Sequence, residues 1–353
     1  MILARSFRVQ PGDPARLERR LGRPLDLPLG AQVVLVTGLD EGLARTLGGQ
    51  GDAAVLAQGQ PAPELIDRLL TPSAPLLHLR GDVVRFDDRP LVMGIVNVTP
   101  DSFSDGGRHD TTGAAIAHAL TLLEEGADWL DIGGESTRPG AAPVPADEEC
   151  ARVVPVIEGL LRRVPGAIIS VDTSKAEVAR RALAAGACVV NDVTALGDPE
   201  MAGVIARAGA SACLMHMQGT PRTMQQDPRY DDVVAEVANA LGASLERAVV
   251  AGVDRRRLLV DPGLGFGKTL AHNLELLRHL DALRALGAPI LLGASRKSFL
   301  GAITGAREPS QRLVASTATI AIAAALRQAD VVRVHDVKAT REALAIACAV
   351  RSA

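Results

Sequence analysis

Seven separated stretches of this chain end a short apolar run on hydroxyl, amide, carboxylate or cationic residues. They read LVMGIVNVTPDSFSDGG from Leu91, DIGGESTRPG from Asp131, ISVDTSK from Ile169, VVNDV from Val189, LLVDPGLGFGK from Leu258, LLGASRKSF from Leu291 and VVRVHD from Val331. A barrel of eight parallel strands produces this repetition, because such a fold gathers its chemistry on the rim formed by the strands' carboxyl ends. The runs are rich in Val, Ile and Leu and do not alternate with polar residues, as expected of strands covered on both faces.

Between the runs the apolar spacing changes to three and four. Strands are predicted at 91–98, 129–133, 167–172, 189–193, 212–216, 258–261, 289–294 and 331–335. Helices are predicted at 112–125, 147–163, 174–185, 199–208, 231–251, 270–286, 310–328 and 339–350. The alternation gives eight β/α pairs, so the expected fold class is α/β, a (β/α)8 TIM barrel over residues 88–353. Residues 1–87 follow another pattern, with strands at 32–38 and 53–57, helices at 41–47 and 64–70, and one more strand across 76–84. They form a small N-terminal α/β appendage that carries no acid, base or anion-binding constellation.

Composition narrows the partners. With 353 residues, 47% of them hydrophobic, the chain can bury a large core. A net charge of −3 with 22% charged residues supplies no global field for nucleic acid or an anionic membrane, so an anionic substrate must meet local cations. No apolar run reaches the roughly 18 residues of a membrane helix, and the opening MILARSF is too short for a secretion signal. Cys150, Cys188, Cys213 and Cys348 lie far apart without a CxxC pair, which argues against zinc and disulfides and for a cytoplasmic, reducing location. Only four of the 38 basic residues are lysines: Lys175, Lys268, Lys297 and Lys338, each just after one of the apolar runs. Lysine is a compact point charge where arginine is a planar fork, so these positions are candidates for a specific use.

The motifs GIVNVTPDSFSDGG from Gly94, GGESTRPGA from Gly133, SVDTSK from Ser170, NDV from Asn191, MHMQGTPRTMQ from Met215, DPGLGFGKT from Asp261, ASRKSFLG from Ala294 and RVHDV from Arg333 occur in one order. In that order they resemble the dihydropteroate synthases, pterin-binding barrels of folate biosynthesis, over about three quarters of the chain. The resemblance implies condensation of 6-hydroxymethyl-7,8-dihydropterin pyrophosphate with 4-aminobenzoate, releasing pyrophosphate. It implies that Asp172, Asn191 and Asp261 hold the pterin, with Met215 lining the site and Lys297 donating to the carbonyl and ring-nitrogen side. A carboxylate's two oxygens match the adjacent N–H donors of a 2-amino-4-oxo heterocycle.

By the same resemblance Arg138, Arg333 and His335 grip the diphosphate, and Asn97 helps hold a magnesium ion on it, with Asp101 and Asp105 approaching the cation. Phe103, Pro139 and Phe266 enclose the benzoate ring, and Thr137 and Ser298 lie beside it. The glycine- and proline-rich loops 99–109 and 137–144 are expected to close over bound pyrophosphate. Cleavage is expected to be dissociative, without a covalent enzyme intermediate and with Ser295 and Ser298 as binding groups. A homodimer is expected, with the small-residue-rich helix at 310–328 packing against its twin.

Two motifs mislead if taken alone. GLGFGKT lacks the first glycine of a phosphate-binding P-loop, because Pro262 stands there, and its GxGxG fails dinucleotide spacing. His216 has no companion ligands and is expected to line or support the pterin pocket. A methyltetrahydrofolate:corrinoid methyltransferase would share the Asp and Asn ligands but has no need of STRPG, SRKSF and RVH. A catalytically idle pterin-binding protein would not need Asn97, Arg138, Lys297, Arg333 and His335 together.

Overall fold

The computed structural model describes residues 3–8, 32–37, 53–57, 75–99, 108–136 and 141–353. Three strands, β1 (Leu3–Arg8), β2 (Gln32–Thr37) and β3 (Ala53–Ala57), form an antiparallel sheet in that order, and β4 (Leu76–Leu79) pairs with β5 (Asp82–Arg85) as a hairpin. The parallel sheet comprises β6 (Leu91–Asn97), β7 (Trp129–Gly133), β8 (Ile168–Asp172), β9 (Val189–Asp192), β10 (Ser211–Met215), β11 (Leu258–Asp261), β12 (Leu291–Leu292) and β13 (Val331–Val334). Its hydrogen-bonded order runs β11-β10-β9-β8-β7-β6-β13-β12, and a parallel bridge between Val260 and Ile290 joins the two ends. The result is the predicted eight-stranded barrel, nearly closed.

Around it pack α1 (Arg108–Glu124), α2 (Ala146–Arg163), α3 (Ala176–Ala184), α4 (Met201–Ala208), α5 (Val233–Val250), α6 (Leu270–Arg278), α7 (Ser298–Thr304), α8 (Leu313–Ala325) and α9 (Val337–Ser352). The outward strand residues, among them Val92, Val96, Leu130, Ile132, Ile169, Val171, Leu214 and Val332, pack with the helices in one large apolar cluster. The inward residues change character along the strands. Met93, Trp129, Val189, Cys213, Leu259, Leu291 and Val331 form an apolar floor, whereas the rim ends of β6, β8, β9 and β11 carry Asn97, Asp172, Asn191 and Asp261. Period-two alternation thus carries one face of each strand from oil to chemistry.

That floor is stoppered by the β4–β5 hairpin, which corrects the single strand expected at 76–84. Leu77 and Leu79, at 0% and 2% exposure, join the floor cluster with Val84 and Phe86 against it. Ser211 Oγ donates to the His78 carbonyl at 2.9 Å, and an Arg80 guanidinium N–H donates to the Ala167 carbonyl at 2.9 Å. The strand at Leu3–Arg8 was not anticipated, and the helices expected at 41–47 and 64–70 lie outside the described residues.

Two further expectations shift. The helix expected at 270–286 is α6 followed by a 3-10 segment, Leu280–Leu286. Leu280, Leu283 and Leu286 are all buried, and the three-residue turn of a 3-10 helix lines up positions i, i+3 and i+6 on one face. The strand expected at 289–294 is only two residues long, and its unit carries two helices, α7 and α8, before β13.

Candidate active site

The strand ends bring four polar side chains into one bonded group. Arg333, on β13, donates through Nε to Asp131 Oδ2 and through an Nη to Asp172 Oδ2, each at 2.6 Å. Asn191, on β9, donates through Nδ2 to that same Asp131 oxygen at 3.0 Å. Asp131 pairs in register with Ser170, and Asp172 with Gly133 and Asn191, so backbone pairing sets these heights. Asp131 Oδ1, Asp172 Oδ1 and Ser170 Oγ are buried without a hydrogen-bond partner among the described residues. Buried acceptors of this kind favour N–H donors. Burial raises the Asp172 carboxyl to about 7 despite Arg333 beside it, with Asp131 adding to the rise. Burial works against the Arg333 charge, yet Asp131 and Asp172 outweigh it and hold the guanidinium firmly protonated.

Across the mouth, Asp261 ends β11 and accepts from the Gly263 backbone N–H at 2.7 Å. Burial raises its carboxyl, opposed by that hydrogen bond and by Lys297. Lys297 follows β12 as the residue preceding α7, and its Nζ stands 4.0 Å from the centroid of the Phe266 ring. A cation above an aromatic face is attracted by the ring quadrupole. Burial lowers Lys297 to about 8, with Asp261 opposing. Phe266 is half-buried and belongs to neither apolar cluster, so it is a wall of the mouth rather than a core residue.

The DPGLGFGK loop folds back on its neighbour. A Cβ on Gly263, which has φ +66°, would lie 1.9 Å from the His216 carbonyl, and one on Gly267, with φ +59°, 2.5 Å from the Gln218 carbonyl. Lys268 Nζ reaches the Gly263 and Phe266 carbonyls at 3.0 and 2.9 Å and His216 Nδ1 at 3.0 Å. It therefore staples its own loop to the β10 end. His216 supports the site from behind, where burial, then Lys268, lowers it to about 3.

Ser295 and His335 link the loops after β12 and β13. Ser295 Oγ lies 3.0 Å from His335 Nδ1 and accepts from the His335 backbone N–H at 3.2 Å. Arg296, at φ +58°, donates to both Asp336 oxygens, Nε to Oδ2 at 3.0 Å and an Nη to Oδ1 at 2.6 Å. Asn97 closes β6 opposite Gly133, and Met215 is buried at the end of β10 in register with Asp261. Ser298 is exposed at the first position of α7.

Asp101, Phe103, Asp105, Thr137, Arg138 and Pro139 lie outside the described residues. Asp131 was missed as a site residue although DIGGE carries an acid inside an apolar strand, a signal in itself. Of the four lysines, Lys297 and Lys268 are at the mouth. Lys175 binds Glu135 and the fully buried Glu149 at 2.5 and 2.6 Å behind the rim, and Lys338 is exposed outside it. Among the described residues no cluster of three or more His, Cys, Asp or Glu could hold a metal. No described helix is long and apolar enough to cross a membrane.

The model of a family described as "Pterin binding enzyme" matches residues 93–335. The dihydropteroate synthase of Escherichia coli K12 is 48% identical over 264 residues, covering 75% of this chain and 93% of that protein. Among solved structures, Xanthomonas albilineans dihydropteroate synthase with 4-aminobenzoic acid superimposes with a TM-score of 0.74 at 52% identity, covering 80% of this chain and 100% of the other. The same organism's enzyme in complex with 7,8-dihydropteroate gives a TM-score of 0.71 at 50% identity, covering 79% and 100%.

Proposed function

The chain belongs to the pterin-binding enzyme family and is a transferase acting in folate biosynthesis as a dihydropteroate synthase, and on that premise we propose how its own residues divide the work. The substrates are 6-hydroxymethyl-7,8-dihydropterin pyrophosphate and 4-aminobenzoate, and the products are 7,8-dihydropteroate and pyrophosphate. The observation that carries the assignment of roles is the gathering of Asp172, Asn191, Asp261, Lys297 and Arg333 at one end of the barrel, with the Asp172 Oδ1 acceptor buried and unbonded among the described residues.

Asp172 and Asp261 accept from the amino and ring N–H groups of the pterin, Asn191 completes its edge, Met215 lies against the ring, and Lys297 donates to its carbonyl and ring nitrogen. The carbon–oxygen bond at the pterin methylene breaks first and its electron pair leaves with pyrophosphate. Electron release from the dihydropterin stabilises the carbocation, while Arg333, His335 and Arg138 stabilise the departing charge. The neutral aromatic amine then forms the carbon–nitrogen bond and loses its proton to solvent, so no nucleophilic side chain is required. Phe266 walls one side of the benzoate, with Phe103, Pro139, Thr137 and Ser298 assigned to its other contacts.

Magnesium fits as an ion carried by the diphosphate: Asn97 offers one amide oxygen, and one or two protein oxygens with phosphate oxygens and water make an ordinary sphere. Its chemistry would be neutralisation of developing charge, with Asp101 and Asp105 assigned to its surroundings. The exposed Val314 and Ile322 on α8, Leu326 just past its end, and Ile346 and Val350 on α9 support pairing of two copies through these helices. Four free cysteines fit a cytoplasmic location.

Steady-state pyrophosphate release should rise when 4-aminobenzoate joins the pterin pyrophosphate, because the amine consumes the cation that would otherwise recombine. Lys297→Ala and Arg333→Ala should each lose more than about tenfold in kcat/KM, and unchanged turnover in both would overturn the assignment of the site.

A further inference from the structure

We infer that Ser295 is a positioning residue that locks His335 in the tautomer carrying its proton on Nε2, presenting a neutral N–H donor to the departing diphosphate. The inference rests on the role given above to His335, but its structural half stands on hydrogen-bond accounting at one hydroxyl.

Ser295 is buried, and its Oγ touches two groups of His335: the backbone N–H, at 3.2 Å, and the ring Nδ1, at 3.0 Å. The backbone N–H can only donate, so it occupies one Oγ lone pair. The hydroxyl proton must then go to an acceptor, and the acceptor at hand is Nδ1. The reverse arrangement, with Nδ1–H donating to Oγ, would leave the hydroxyl proton of a buried serine without a partner among the described residues, which is costly. Nδ1 therefore carries the lone pair and Nε2 the proton, because a neutral imidazole has one of each.

The surroundings enforce this. Ser295 and His335 sit on loops that are forty residues apart, and the Arg296–Asp336 pair ties those loops together immediately beside them. Arg296 adopts φ +58°, uncommon for a residue with a side chain, and is held there by the Ser316 hydroxyl accepting from its N–H at 2.8 Å and by Arg312 donating to its carbonyl at 3.0 Å. Strain at such a position persists only where neighbours over-determine it. Burial, with the Arg296 and Arg333 charges, lowers His335 to about 3 against a smaller pull from Asp336, which accords with a neutral ring. A neutral donor has a use here: it strengthens its hydrogen bond as oxygen charge grows without binding the ground state as a full cation would.

The test is long-range 1H–15N NMR on full-length protein labelled with 15N-histidine, the His335 signals being those absent from His335→Gln. Wild type at neutral pH should show a protonated-type Nε2 and an unprotonated-type Nδ1. Ser295→Ala should mix the two tautomers and lower kcat/KM for the pterin diphosphate about tenfold, leaving the KM for 4-aminobenzoate within about twofold. Ser295→Thr, which keeps the hydroxyl, should restore both readouts. A wild-type ring with its proton on Nδ1, or on both nitrogens, overturns the inference while leaving the condensation reaction assigned. A tautomer that does not respond to Ser295→Ala overturns it as well. Failure of wild type to release pyrophosphate from the two substrates would instead remove the reaction on which the use of His335 rests.

Discussion

Arg333 is held by two carboxylates, and one of them, Asp131, also holds Asn191 through the same oxygen. Removing Asp131 takes away one of the guanidinium's two carboxylate anchors and the acceptor of the amide together. Asp131→Ala should lower unfolding stability by about 3–5 kcal/mol, the range for deleting one side of a buried ion pair, measured as a fall in denaturation midpoint. A variant that melts like wild type would show the group to be dispensable. Two titrations should frame activity. Below about 7 the raised Asp172 takes up a proton and can no longer accept a pair of N–H bonds, and above about 8 the lowered Lys297 gives its proton up. The kcat/KM profile of the free enzyme should therefore be a narrow bell between those values. Lys297→Arg, charged throughout, should remove the alkaline limb, and a flat wild-type profile across the range would refute both assignments.

At the level of elements, the turn after β11 depends on glycine in a way that sheet pairing does not. Gly263→Ala would drive a Cβ into the His216 carbonyl at a backbone angle that disfavours side chains, so a loss on the order of 2 kcal/mol or more is expected, read by thermal denaturation. Gly113→Ala offers a control, because a Cβ there meets nothing within 4 Å and the helical conformation accepts it. The hairpin provides a second case. Leu77→Ala removes a fully buried side chain from the barrel floor and should cost about 2–5 kcal/mol while leaving both substrate KM values near wild type, because the floor lies below the polar layer.

Over the whole molecule, the barrel was legible because each buried strand is a dense Val, Ile and Leu run that ends on polar residues. Those runs place Asp172, Asn191, Asp261 and Arg333 within one mouth. The hairpin was not legible as two strands: apolar residues continue up to Arg80, whose φ of +52° beside Gly81 at +91° makes the turn, and hairpin turns of this kind usually announce themselves with Asn or Asp before the glycine. The split after α6 was hidden because leucines three apart satisfy either helix type. Asp131 escaped notice because its partners, Asn191 and Arg333, are 60 and 202 residues away, and no local pattern records a tertiary ion pair.

The hairpin also bears on truncation. A chain beginning at residue 74, which keeps β4 and β5, should retain more of the wild-type melting temperature than one beginning at residue 88. Equal melting temperatures would mean that the stopper contributes nothing to stability.

With Leu77 and Leu79 packed into the floor, the described residues seal the lower end of the barrel. Every water displaced by an incoming heterocycle must leave by the route the heterocycle enters, and a finished molecule must back out through the space its successor needs. Entry and exit should therefore share one mouth, so that clearance of the product is expected to compete with arrival of the next heterocycle.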